Sequence, residues 1–199
     1  MRKIHIVGLA LVAMFAFFAV SVASASAVEW LIKNEAIAAA TAVKSKSVGK
    51  LVLEDMGMSK IECEGTDAGT VGPGAVDSIT AITATGCVAV SGSCEAPVTA
   101  KAVGLPWATE LVAGPRDKIT TVAAGWAVEC LVAGIFKIQD TCTGATSTGI
   151  SNVAAGVDAA FDATSGETPA TCTLTGKATG LVEGTDLNEN PAGGQLTVG

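Results

Sequence analysis

Histidine is almost absent from this sequence and tyrosine is absent altogether, with one His and no Tyr in 199 residues. The single histidine, His5, falls in an N-terminal segment that reads as a leader. Once the leader is gone, no imidazole is left for a Ser-His-Asp or Cys-His site, or for a histidine metal centre. Cationic side chains are scarce too, with 12 Lys and Arg against 19 Asp and Glu. Their one cluster is Lys44, Lys46 and Lys50. Nucleic-acid recognition draws on clustered bases, so no nucleic-acid partner is expected. There is no C-x-x-C pair, which argues against a zinc site.

What is present begins with export. Arg2 and Lys3 precede an apolar run from Ile6 to Val20, and "SVASASA" at Ser21–Ala27 supplies small residues for cleavage. That layout predicts a signal peptide over 1–27 and one secreted β domain over 28–199. The apolar run is shorter than the roughly 20 residues needed to span a bilayer, so no membrane association is expected after cleavage. No cysteine at the cleavage site and no apolar tail offers a lipid or membrane anchor. The expected location is extracellular, or loosely attached to the cell surface. Loss of Arg2 and Lys3 takes the net charge from −7 to −9.

Six cysteines remain: Cys63, Cys87, Cys94, Cys130, Cys142 and Cys172. An even count in an exported chain predicts three disulfides. "CVAVSGSC" at 87–94 suggests a local Cys87–Cys94 bridge across a Ser91–Gly92 turn, leaving Cys63 and Cys172 for Cys130 and Cys142 in either order.

Short runs of Val, Ile and Thr between glycines predict strands throughout. "VEWLIKNEAI" reads as strand, turn at Asn34–Glu35, strand. In "WAVECLVAGIFKIQDTC" at 126–142 the apolar positions alternate, placing Trp126, Val128, Cys130 and Val132 on one face and Phe136, Ile138 and Cys142 on another. A three-residue loop through Gly134 sets Val132 opposite Phe136 and makes the two faces coincide. Cys130 then faces Ile138, too far from Cys142 to pair with it. Both cysteines are expected to reach a facing sheet. The similar spacings after Cys63 (Gly65, Gly69, Val71) and Cys172 (Gly176, Gly180, Val182) hint at a repeat of two tethered edge strands.

The stretch "CEGTDAGTVGPGAVDSIT" at 63–80 could cradle a ligand or turn the chain. A phosphate loop needs lysine after its last glycine, and Ala75 stands there. Gly72-Pro73-Gly74 reads as a chain reversal, with Asp77 capping it. "SVGK" at Ser47–Lys50 has serine acyl-enzyme spacing without the partner motifs, so Lys50 reads as the solvent side of a strand. Asp186, Asn188 and Asn190 have the 1, 3, 5 spacing of a calcium loop, but Pro191 and Thr197 replace its glycine and glutamate. A polar turn before a last strand is the plainer reading.

"EWL", "CEGTDAGTVGPGAVDSIT", "LPWATEL" and "GWAVEC" with "DTCTG" resemble a group of small secreted cysteine-containing β proteins of actinobacteria. The resemblance implies secretion and a shared disulfide-bonded fold, and carries no activity.

The sequence thus predicts an all-β, disulfide-stabilised two-sheet sandwich of eight to ten strands, with Trp30, Trp107, Trp126, Phe136, Leu53 and Ile138 in its core. No catalytic residue, cofactor or metal is assigned. Function reads as a non-enzymatic surface or extracellular protein acting in adhesion, envelope association or ligand capture. Its partner would be an envelope component or an extracellular ligand. The alternative is a carboxylate-based, glycosidase-like hydrolase using acids such as Glu54, Asp55, Asp67, Asp77, Asp158 and Asp162. A substrate-sized cleft with two facing acids would favour it; acids scattered over convex surface would exclude it.

Overall fold

A computed structural model describes residues 28–56, 58–162 and 167–199. The expected leader lies outside them. The described residues form sixteen strands and no helix. They are β1 Trp30–Ile32, β2 Glu35–Ala36, β3 Thr41–Ser47, β4 Leu51–Asp55, β5 Ser59–Val71, β6 Val76–Gly92, β7 Glu95–Val103 and β8 Trp107–Val112. The second half supplies β9 Arg116–Ile119, β10 Gly125–Val132, β11 Phe136–Thr143, β12 Ser147–Val153, β13 Gly156–Phe161, β14 Ala170–Cys172, β15 Lys177–Glu189 and β16 Leu196–Val198. The fold is all-β and sandwich-like, held by three disulfides, with a thirteen-stranded sheet folded on itself and a separate three-stranded sheet. The strands are more numerous and several are shorter than expected.

Three long strands organise the large sheet. β5, β6 and β15 each run through both halves of the molecule and change neighbours midway. The later half of β5 pairs with β3 and its earlier half with β4. β15 does the same in reverse, pairing with β4 and then β3. In one half the ladder β3-β5-β6-β8-β9-β12-β13-β15 returns to β3, because β13 pairs with β15. That is a closed ring of eight antiparallel strands with no free edge. In the other half β5-β4-β15-β14-β11-β10-β7 curls round in the same way, but β7 and β6 share no ladder.

The three-stranded sheet, in the order β16-β1-β2, packs on the ring. Its β1–β2 turn is Lys33–Asn34, both with left-handed backbone, one residue earlier than expected. Trp30 from β1 joins Ile37, Val71, Leu111, Val157 and Leu196 in one core cluster. Glycine is required at the β5–β6 reversal. Gly72 has φ +67°, and a Cβ there would lie 2.8 Å from Cβ of Ile37. Gly72 N–H donates to Val76 O, and Gly74 O accepts from Trp30 N–H, so the reversal is stitched to the small sheet.

The β10–β11 hairpin has the expected register, with Val132 opposite Phe136 and Cys130 opposite Ile138. Trp30, Trp107 and Trp126 are buried, and Leu53 and Ile138 pack against the core. Phe136 is corrected. It is 62% exposed, because it and Ile135 sit at the hairpin tip, beyond the strands that cover the rest of that face.

Disulfide pairing also differs from the expectation. The bridges are Cys63–Cys87, Cys94–Cys130 and Cys142–Cys172. Cys142–Cys172 is one of the two orders left open; Cys87–Cys94 does not form. β6 runs straight through Ser91 to Gly92, so Cys87 lies five residues before the bend that holds Cys94. At about 3.3 Å per residue that offset is about 17 Å, beyond the reach of a bridge. Nor do the bridges cross to a facing sheet. Each joins strands that are neighbours, and two sit where the ladder skips a residue, at Glu62/Glu64 and at Glu129/Leu131. The Cys63 and Cys172 segments are not a pair of edge strands either. β5 and β15 are laddered on both sides and are among the most central strands.

Candidate functional site

Strand alternation places one side chain in two inside the ring, and several of these are aspartates. On β5, Asp67 follows Ile61, Cys63 and Gly65 on the inner face; on β15, Asp186 follows Val182 and Gly184. Asp77 precedes Ile79 on β6, and Asp117 precedes Ile119 on β9. All four line one internal cavity of about 150 Å³ that runs from the ring toward the disulfide half. Trp30, Trp107, Trp126 and Phe161 also line it. The wall carries these aspartates within the ring and is mostly apolar beyond it, at Leu53, Ala84, Ala100, Ala170 and Val182, with Glu64 and Glu167 the acids there.

Two pairs of acids form. Asp77 and Asp117 flank Thr109 of β8, which is opposite Asp77 in the ladder. Burial pushes the Asp77 carboxyl up to about 6, and the nearby Thr109, Trp30 and Asp117 moderate the rise. Burial pushes Asp117 well above the usual range, and the Asp77 charge adds to it, against the pull of the Glu110 and Lys118 backbone. The pair therefore holds a proton at pH values where an ordinary aspartate is ionised. Around it, Trp30 Nε1, Asp77 Oδ1, Thr109 Oγ1, Asp117 Oδ1 and Thr148 Oγ1 are buried without a hydrogen bond of good geometry.

Asp67 and Asp186 flank β3 and make the second pair. Burial raises both, Asp186 to about 7 with the Asp67 charge contributing, while Ser45 pulls Asp67 back. Ser45 Oγ donates to Asn188 Oδ1 at 2.7 Å, and Asn188 Nδ2 donates to Val157 O at 3.1 Å. Glu167 lines the same cavity and accepts from Val182 N–H at 2.8 Å. Burial raises its carboxyl as well, and the charges of Glu183 and Asp162 contribute. No cation offsets this group from within. Lys101, the lysine on the lining, has its side chain 62% exposed and lies 4.0 Å from Glu129.

This geometry corrects two sequence readings. Asp77 does not cap the Gly72–Gly74 reversal; its side chain turns inward to Thr109 and Asp117. The calcium-loop spacing belongs to no loop, because Asp186 and Asn188 lie within β15 and Asn190 folds its side chain onto its own turn, at Gly193 O and Ala192 N. The turn reading of 63–80 holds, but the same stretch supplies two of the four cavity aspartates. Lys50 is on the solvent side, 2.8 Å from Glu64. Asp117, which the sequence reading passed over, is found by the same alternation that marks Ile119 as buried.

A third buried acid pair lies in the disulfide half. Asp55 shares the inner face of Leu51 and Leu53, and Asp140 that of Ile138 and Cys142. Asp140 accepts from Thr173 Oγ1 and Leu174 N–H, both at 3.0 Å. Asp55 is fully buried with neither oxygen partnered, and its carboxyl is raised, chiefly by burial. Asp140, Cys142 and Cys172 converge, but both sulfurs are spent in a disulfide, so no thiolate is left to hold a metal. All six cysteines are bonded, which indicates an oxidising, extracellular-type environment. No family model, curated protein or solved structure matches the chain.

Proposed function

We propose that this is a secreted, non-enzymatic protein that captures one small molecule inside its β ring. Of adhesion, envelope association and ligand capture, the observation that favours capture is the cavity itself. An eight-stranded ring is about the size that either fills with side chains or holds one small ligand. Here the interior keeps about 150 Å³ open and carries unsatisfied polar atoms. A void of about this volume takes a benzene-sized molecule.

Intrinsic tryptophan fluorescence tests the reading, because all three tryptophans line the cavity. Small aromatic probes such as benzyl alcohol and benzylamine should change the emission saturably. A response to neither probe up to millimolar concentration would remove it. Secretion has its own check in fractionation of the native culture and unreduced intact mass. A species starting near Val28 and six hydrogens lighter than the all-thiol mass is expected.

Carboxylate-based hydrolysis is the second reading, and the paired acids with raised carboxyls favour it. Size counts against it. The cavity falls below the roughly 300–1,000 Å³ of ordinary ligand clefts, too little for two sugar units across a scissile bond.

A further inference from the structure

We infer that the ligand is a small organic ammonium ion with an apolar body, its head held at the Asp77–Asp117 end of the cavity. The inference rests on the capture reading and names the chemistry of what is captured. Four oxygens there have no hydrogen bond of good geometry, Asp77 Oδ1, Thr109 Oγ1, Asp117 Oδ1 and Thr148 Oγ1, and the one N–H donor beside them, Trp30 Nε1, faces Asp77. Thr148 is only 4% exposed, and it lines the cavity together with both acids. A primary ammonium carries three N–H donors and no acceptor, which matches that set. Trp30, 2% exposed with its Nε1 toward Asp77, closes the same end and offers an aromatic surface beside the cation.

Other ligand classes fit less well. An anion would enter a wall of carboxylates with no free cation. A neutral apolar molecule would leave the acids and hydroxyls unsatisfied, which is unfavourable for every buried polar group it fails to partner. A calcium ion wants 6–8 oxygens converging on one point. Among the described residues, the one set of three or more potential metal ligands that converges is Asp140, Cys142 and Cys172, in the other half of the molecule. The cavity acids come instead as two pairs along a wall that turns apolar at Ile79 and Ile119. A charged head with an apolar tail fits that gradient.

The test compares benzylamine with benzyl alcohol, which differ in charge and hardly in shape, at pH 8 by calorimetry and tryptophan fluorescence. Benzylamine should bind at least tenfold tighter. Asp77→Asn should bring the two probes to within about threefold, and Glu95→Gln, exposed and off the cavity wall, should leave the preference intact. Unreduced intact mass and circular dichroism establish that each variant is folded. If Asp77→Asn does not fold, Thr148→Val removes one acceptor and should reduce the preference alone. Equal binding of both probes would overturn the ammonium assignment and leave capture standing. Binding of neither would overturn both and mark the polar end as filled by water. Displacement of benzylamine by millimolar calcium chloride, with sodium chloride of equal ionic strength inert, would overturn the assignment in favour of a metal.

Discussion

The two halves of the large sheet close in different ways. The ring half closes through hydrogen bonds alone, with every strand laddered on both sides, and it holds no disulfide. The other half lacks a ladder between β6 and β7, and all three disulfides lie within its core cluster. Its interior is filled by sulfur, Trp126, Val128 and Ile61, and glycine is needed to make room. A Cβ on Gly180 would lie 2.7 Å from Cys172 Sγ. The cavity reaches into this half too, where its wall is mostly apolar, while the ring contributes the four aspartates. Where the backbone ladder is complete, no covalent link closes the sheet; where it is incomplete, disulfides take the place of the missing ladder.

The comparison can be broken most strongly at the cover of the ring. Trp30→Ala removes the largest side chain over the acidic end and should cost about 3–5 kcal/mol, read by urea denaturation. Hydrogen exchange should then rise in β8, β9 and β12 before β10 and β11. In the other half, replacing Cys142 and Cys172 together by alanine should cost about 2–5 kcal/mol. Exchange should rise first in β11 and β14, with the ring protected. If the ring loosens equally, the two halves are one cooperative unit and the contrast fails.

A third prediction concerns pH and the aspartates of the ring. Asp186 has a folded value of about 7 against an ordinary 3.8. The folded chain holds this proton more tightly than the unfolded chain does. The linked stability is present in full below about pH 4, is lost as pH rises toward 7, and changes little above it. Asp77, with a folded value of about 6, acts in the same direction. Thermal melts should therefore fall from pH 4 to pH 7, and Asp186→Asn should flatten the slope. A melting temperature that climbs over that range would contradict the assignment of these acids to the interior. Smallest of all, Phe136→Ser at the exposed hairpin tip should change stability by less than about 0.5 kcal/mol, measured by the same denaturation.

The sequence made some of this architecture readable and hid the rest. Alternation in 126–142 predicted a register that the structure reproduces residue for residue. The same rule, carried to Asp67, Asp117, Asp140 and Asp186, marks each as sharing a face with a buried neighbour. Acids are ordinarily found at solvent positions, so composition alone hides these inward ones. Disulfide partners were hidden for a different reason. Cys87 and Cys94 are close along the chain, but β6 continues to Gly92, and only the neighbouring strands reveal where a strand stops. Ring closure rests on β13 meeting β15, more than twenty residues apart along the chain, and no local pattern encodes it. The cavity is a consequence of that closure and was equally out of view.

The most direct test of the acid-lined interior is carbon-detected NMR titration of the aspartate carboxyls in the folded protein. The account predicts that Asp186 titrates near 7 and Asp77 near 6, and that Asp67 and Asp117 both lie above the ordinary value. Four aspartates titrating together near 4 would mean that they face open water, and the cavity, with the capture it supports, would be contradicted.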